Sequence, residues 1–354
     1  MDSDELRRFV KDFSFDRCKR GNQGFNRILI QLFGLLGHGK SSFINTCIYV
    51  WEDCEFQNWS KAVGAYGGHT TERIPYKLTE TLTLVDNRGC ATMEDKESGV
   101  IFAQLGNLLP IGTKVEWGEG FGLTERMLKA EKQVKTSDFV FPVFVHSVRK
   151  EIPKEERGEL KALFNSAQKL TGVVPIVVLT YKTAGSLTEM EGIFRDIGVD
   201  RIFSFENYTT EDHMKTRGKH EEVLKFLCEV IKDVQFRVEQ PRDPSEEMKM
   251  RRKFVLNYIH ECGMKEQQRK VEKKKAVDHA LLEKRHQQKE EEMKKRREAE
   301  QRQHDEEFKR LQEELQWERE RDRERQEEEL RAQTGRQKKK KTKTSIFGFF
   351  SQKK

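Results

Sequence analysis

Residues 34–45 read GLLGHGKSSFIN. Just before them, NRILIQLF (26–33) is an aliphatic, β-branched run, and SSFINTCIYVW (41–51) resumes with helical spacing. The order strand, glycine loop, helix is the one a phosphate-binding loop requires. Gly34-x4-Gly39-Lys40-Ser41 fits G-x-x-x-x-G-K-[ST] throughout. Glycines let backbone N–H groups turn inward around an anion, and the helix N-terminus adds partial positive charge. The expected phosphate contacts are Gly34, Gly37, His38, Gly39, Lys40, Ser41 and Ser42, with Lys40 reaching the outer phosphates and the Ser41 hydroxyl binding Mg²⁺.

Working outward, five further strand-like runs follow: RIPYKLT (73–79), TLTLVDNRG (81–89), FVFPVFVHSV (139–148), VVPIVVLTY (173–181) and RIFSFENY (201–208). Helical patterns at 155–170, 187–198 and 220–236 separate the later ones. This alternation predicts an α/β three-layer sandwich, a mainly parallel sheet covered by helices on both faces. With the glycine loop it gives the P-loop NTPase fold, and the D-x-x-G element and the resemblance given below imply the GTPase-like kind. The glycine-rich stretch between Gly89 and Phe139 is too long for an ordinary connection and reads as a mobile loop with a helix near TERMLKAEKQV.

Later elements narrow the chemistry. Asp86-Asn87-Arg88-Gly89 ends an apolar strand 46 residues after Lys40. In such a D-x-x-G element the carboxylate meets Mg²⁺ and the glycine N–H meets a γ-phosphate. Thr70 or Thr71, in GGHTTERIP, is placed to reach Mg²⁺ as a switch threonine. Thr180-Tyr181-Lys182-Thr183 stands where a base-reading N/T-K-x-D element is expected, and Asn207 stands where a loop would cover the base. Thr183 departs from that pattern, because an Asp there would accept two hydrogen bonds from guanine. Cys90 follows D-x-x-G where many GTPases carry a water-orienting Gln, so slow or partner-dependent hydrolysis is expected. His38 reads as an occupant of the loop rather than a catalyst.

The combination GKSSFIN, a D-x-x-G-like element, an insertion containing GNLLP-IG-K, LTYKT in place of LTHxD, and ENYT in place of SNYS resembles the interferon-induced protein 44 family of P-loop GTPase-like proteins. The likeness covers about residues 20–240. Immunity-related GTPases and the GTPases of immunity-associated proteins share such loops. The resemblance implies GTP/GDP binding with Mg²⁺ and a role in innate immunity or growth restraint. Two other readings stay open: a degenerate, nucleotide-poor scaffold acting through protein contacts, and an adenine-nucleotide-binding relative.

The C-terminal third has a different character. From Met264 to Gln333, 42 of 70 residues are charged, with neither Pro nor Gly. Glu290–Lys294, Glu291–Lys295, Glu292–Arg296, Glu298–Arg302 and Glu306–Arg310 have the acid-first order that supports a helix by about 0.2–0.5 kcal/mol per pair. Phe308, Leu311 and Leu315 keep an apolar seam for two turns, so a long charged helix or coiled coil is expected, contacting a protein partner or itself.

The net charge of +7 is a property of the tail. Residues 336–354 hold eight Lys/Arg and no acid, and removing these eight leaves −1 for the rest, which argues against nucleic acid as the main partner. The tail's lysines, with Ile346, Phe347, Phe349 and Phe350, fit an anionic membrane surface. A nuclear-import or RNA-touching lysine run explains the same letters. Six cysteines (18, 47, 54, 90, 228, 262) without C-x-x-C spacing suggest reduced thiols. MDSDELRRFV lacks a signal peptide's apolar core and a myristoylation glycine. The expected location is the cytoplasm, peripheral at membranes if the tail binds them. The expected organisation is a lead segment (1–25), an α/β domain (26–243), a long helix (244–334) and a basic aromatic tail (335–354).

Overall fold

The computed structural model describes residues 2–60, 71–90, 95–116 and 121–347, with the backbone course alone at 95, 96, 121 and 337–347. The chain divides into two units, residues 1–268 and 269–354.

The first unit is mixed α/β. Among the described residues its six strands are β1 (Arg27–Phe33), β2 (Ile74–Lys77), β3 (Leu82–Asp86), β4 (Asp138–Ser147), β5 (Ile176–Thr180) and β6 (Ile202–Phe205). They form one sheet in the order β2-β3-β1-β4-β5-β6, parallel except for β2, which pairs antiparallel to β3 at the edge. The central strands read as continuous apolar runs because both faces are covered. Ile28 lies level with Leu82 on one side and Phe139 on the other.

One face carries α1 (Ser3–Lys11), α2 (Lys40–Glu52) and α7 (Arg217–Arg237), with Leu6, Phe43, Cys47, Leu227 and Ile231 buried against Ile28, Ile30 and Phe141. The other carries α3 (Asp95–Leu105), α4 (Phe121–Ala130), α5 (Arg157–Thr171) and α6 (Leu187–Ile197), with Val100, Phe102, Leu163 and Phe194 packed around Phe33, Phe144 and Val177. Each such fully buried side chain contributes about 1.5–3 kcal/mol.

Three expectations change. The lead segment belongs to the domain: Asp2 caps α1 through a capping box with Glu5, and Leu6 and Val10 enter the first core. Residues 89–139 carry the helix expected near TERMLKAEKQV, as α4, but the described residues are not an open loop, since Val100 and Phe102 of α3, Leu108, Leu109 and Val115 are buried in the second core. Residue 243 is not the domain's end. The long helix α8 (Pro244–Phe347) sinks Met248 and Val255 into that core, and Phe254 and Tyr258 set their rings edge-on to Phe102 at 5.8 and 4.9 Å.

Within residues 269–354, α8 keeps Leu281, Leu282, Phe308, Leu311, Leu315, Trp317 and Leu330 exposed. Glu291 pairs with Lys295 at 2.9 Å as its spacing predicts, whereas Arg296 turns to Glu300 at 3.0 Å rather than back to Glu292. The tail residues 348–354 lie outside the described residues, as do the side-chain surroundings of 337–347. Among the described residues no helix is long and apolar enough to cross a membrane.

Candidate phosphate and metal site

The C-terminal edge of a parallel sheet is where loops from several strands converge. Three glycines make the loop after β1 possible. Gly34, Gly37 and Gly39 have φ of +140°, +76° and +86°, conformations that favour glycine. A Cβ on Gly34 would press into the Val145 carbonyl oxygen, and one on Gly39 would stand 3.1–3.3 Å from the Thr180 side chain. Next to Gly37 the space is open. α2 starts at Lys40 with no side-chain cap and no acid in its first turn, so its N-terminal dipole is uncompensated. Ser42 sits half-buried in that turn.

Lys40 folds back over the loop, its Nζ donating to the carbonyls of Gly34 (3.1 Å) and Leu35 (2.9 Å). Gly89 comes close above it: a Cβ there would lie 2.6 Å from Lys40 Nζ. Ser41 Oγ donates to Asp86 Oδ2 at 2.7 Å, and Ser60 Oγ donates to the same oxygen at 2.9 Å. Asp86 Oδ1 is buried with no hydrogen-bond partner among the described residues. Burial is the largest influence on both charged groups. It lowers the Lys40 pKa against the pull of Asp86 and Cys90, and raises that of Asp86 against Ser41, Lys40 and Ser60.

An orphaned carboxylate oxygen beside a serine hydroxyl is an all-oxygen donor set, which suits a hard cation. Among the described residues no cluster of three or more His, Cys, Asp or Glu could hold a metal on its own. The residues therefore fit Mg²⁺, which takes one or two protein oxygens and completes its shell with water and phosphate. Thr70 lies outside the described residues. Thr71 is half-buried in a short ladder with the insertion, its carbonyl accepting from the Val115 N–H at 2.7 Å.

Two residues turn out to hold the loops. Cys90 is buried, its thiol pKa pushed up to about 11 by burial, and its carbonyl accepts from the Leu36 N–H at 2.9 Å. His38 turns its ring toward β4, where Nδ1 accepts from the Ser147 N–H at 3.3 Å and the ring meets His146 edge-on at 4.7 Å. Burial, then His146, Lys40 and Lys150, lowers its pKa to about 3, so it stays neutral. His146 is lowered to about 4 by burial, with Nε2 donating to the Lys150 carbonyl at 2.9 Å.

At the base-reading end, Thr180 is a brace: its hydroxyl donates inward to the His38 carbonyl at 2.9 Å, so the expected base contact is not available from it. Tyr181, at φ +56°, lies under the Arg149 guanidinium at 3.9 Å. Lys182 is drawn to Glu222 at 2.8 and 2.9 Å. Thr183 is exposed and donates to Glu206, and Asn207 is buried with its Oδ1 unpartnered among the described residues.

The sequence reading missed Ser60 and the residue that places it. Asn45 Oδ1 accepts from the Ser60 N–H at 2.7 Å, and its Nδ2 donates to the Ser60 carbonyl at 2.9 Å. It also missed Arg73, whose buried guanidinium donates to Asn87, Gln31, Asn107 and the carbonyls of Gln104 and Leu109. No local motif marks either residue.

No protein-family model and no curated protein matches the chain. Among solved structures, the chain is similar to a protein of Thermus thermophilus at 13% identity and a TM-score of 0.28. The match covers 49% of this chain and spans 22% of that protein's length, a likeness too slight to bear on fold or function.

Proposed function

We propose that residues 1–268 form a P-loop, GTPase-like nucleotide switch that binds a Mg²⁺-complexed guanine nucleotide, GTP or GDP. The observation carrying this reading is the Ser41–Asp86 pair, with Asp86 Oδ1 left for a cation at the mouth of the Gly34–Lys40 loop. Burial disfavours the charges on both Lys40 and Asp86, and phosphate and Mg²⁺ are the groups whose charges favour them. The sheet order, with a single antiparallel edge strand beside β3, supports the same fold. Mg²⁺ would supply charge neutralisation between the outer phosphates. Lys40 would neutralise a phosphate oxygen, and the N-terminus of α2 would donate N–H groups to it.

Hydrolysis is slow or depends on a partner in this reading, because the buried, neutral thiol of Cys90 cannot hold a water in line. The resemblance to the interferon-induced protein 44 family suggests an innate-immune or growth-regulatory setting. The exposed Phe308, Leu311, Leu315 and Trp317 suit a protein partner or a second copy along α8, and the basic tail suits an anionic membrane surface.

The test is binding of a fluorescent GTP analogue to the full chain, with and without Mg²⁺. Lys40→Ala should remove binding while the circular dichroism spectrum stays unchanged. A wild-type protein that binds no nucleotide would leave the scaffold reading in its place.

A further inference from the structure

The weak point of a guanine site here is Thr183, which stands where a carboxylate is needed. The structure brings a carboxylate to that point from the neighbouring loop. β5 and β6 are parallel, with Thr180 level with Phe205, so the loops leaving them run side by side. Glu206, the first residue after β6, turns its Oε2 to Thr183, accepting from its N–H at 3.1 Å and from its hydroxyl at 2.7 Å. Glu206 is half-exposed, and its Oε1 has no hydrogen-bond partner among the described residues.

The position suits a base. The 180–183 loop packs directly on the phosphate loop, through the Thr180 hydroxyl on the His38 carbonyl and the tight approach of Gly39. Lys182, the adjacent cation, is committed to both carboxylate oxygens of Glu222 and does not neutralise Glu206.

We propose that Glu206 is the base-reading residue of this site, its carboxylate fixed by Thr183 and presented to the N1–H and 2-amino group of guanine. The proposal rests on the nucleotide-site reading above. An ionised carboxylate only accepts hydrogen bonds. Guanine offers it two adjacent donors, whereas adenine sets the N1 lone pair against it. Thr183 is then a positioning residue: its two donors hold Oε2, which limits the rotamers of an otherwise flexible side chain.

The experiment is competition against a fluorescent GTP analogue on the full chain with Mg²⁺, using GTP, ITP, XTP and ATP. ITP lacks the 2-amino group and XTP replaces it with a carbonyl. Each hydrogen bond lost should cost about tenfold, so wild type should rank GTP over ITP by about tenfold and over ATP by about a hundredfold or more. Glu206→Gln should weaken GTP by about tenfold and improve XTP, since the amide N–H₂ can meet the C2 carbonyl. Thr183→Ala should weaken GTP less, by about threefold, without favouring XTP. An unchanged GTP-to-XTP ratio in Glu206→Gln, or a wild type preferring ATP, overturns the assignment. If Lys40→Ala still abolishes binding in that case, the phosphate site stands. Absence of all nucleotide binding by wild type overturns both.

Discussion

The Nε of Arg73 donates to Asn87 Oδ1 across 3.0 Å, and neither side chain meets solvent. Asn87 lies inside the D-x-x-G element and Arg73 two residues after Thr71, so one guanidinium ties the two segments on either side of the Ser41–Asp86 pair. Its remaining donors reach Gln31 on β1 and the Gln104–Leu109 turn, closing the insertion onto the same point. Burial lowers the Arg73 pKa to about 9, which keeps it charged at neutral pH. Arg73→Met would leave several buried acceptors unpaired. A loss of about 3–5 kcal/mol is expected in urea unfolding, and Arg73→Lys should recover only part of it because an ammonium has three donors.

Gly89→Ala separates site geometry from stability. The added methyl would lie 2.6 Å from Lys40 Nζ and 3.0 Å from Leu36 Cδ2, both far ends of flexible side chains, and 3.3 Å from the Gly34 carbonyl oxygen. Lys40 would have to move while the core stays intact. Nucleotide affinity should fall by about tenfold or more with a shift of under about 1 kcal/mol in unfolding free energy; equal losses in both would show that the close approach is merely packing.

The His38–His146 pair gives a pH signature. Both pKa values are depressed from 6.5, to about 3 and about 4, so the unfolded chain binds more protons than the native one below pH 6.5. Stability is therefore full above that pH and falls as pH drops toward 4. Each histidine should contribute a loss of about 2 kcal/mol by pH 5. Urea midpoints at pH 7.5 and 5.0 measure it, and His146→Phe should show a shallower fall than wild type.

In the proposed switch, Cys90→Ser should leave any basal GTP turnover within about twofold of wild type, because the side chain is buried and the residue's role lies in the backbone bridge to Leu36. A tenfold drop in single-turnover hydrolysis would instead give the thiol a place in the chemistry.

The central strands β1, β3, β4 and β5 could be read from sequence because strands buried on both faces are nearly uninterrupted apolar runs, whereas the edge strand β2 is exposed at alternate positions. α3 could not: Gly99 interrupts it, and packing by the sheet, α4 and α8 removes the polar stripe that marks a surface helix. The phosphate end of the site is contiguous in sequence, so Gly34, Gly37, Gly39, Lys40 and Ser41 are legible together. Ser60 meets Asp86 across 26 positions and Glu206 meets Thr183 across 23. Such pairs exist only once the sheet has set its neighbours side by side.

The root of α8 bears on how the protein can be divided. A fragment ending at 243, where the composition changes, would remove Met248, Val255, Phe254 and Tyr258 and bare the α3 surface beneath them. α3 follows closely on Gly89, so a nucleotide-binding defect in such a fragment would report the missing root rather than the site. A cut beyond Gln268 keeps the whole first unit, and α8 begins as a wall of that unit's second core.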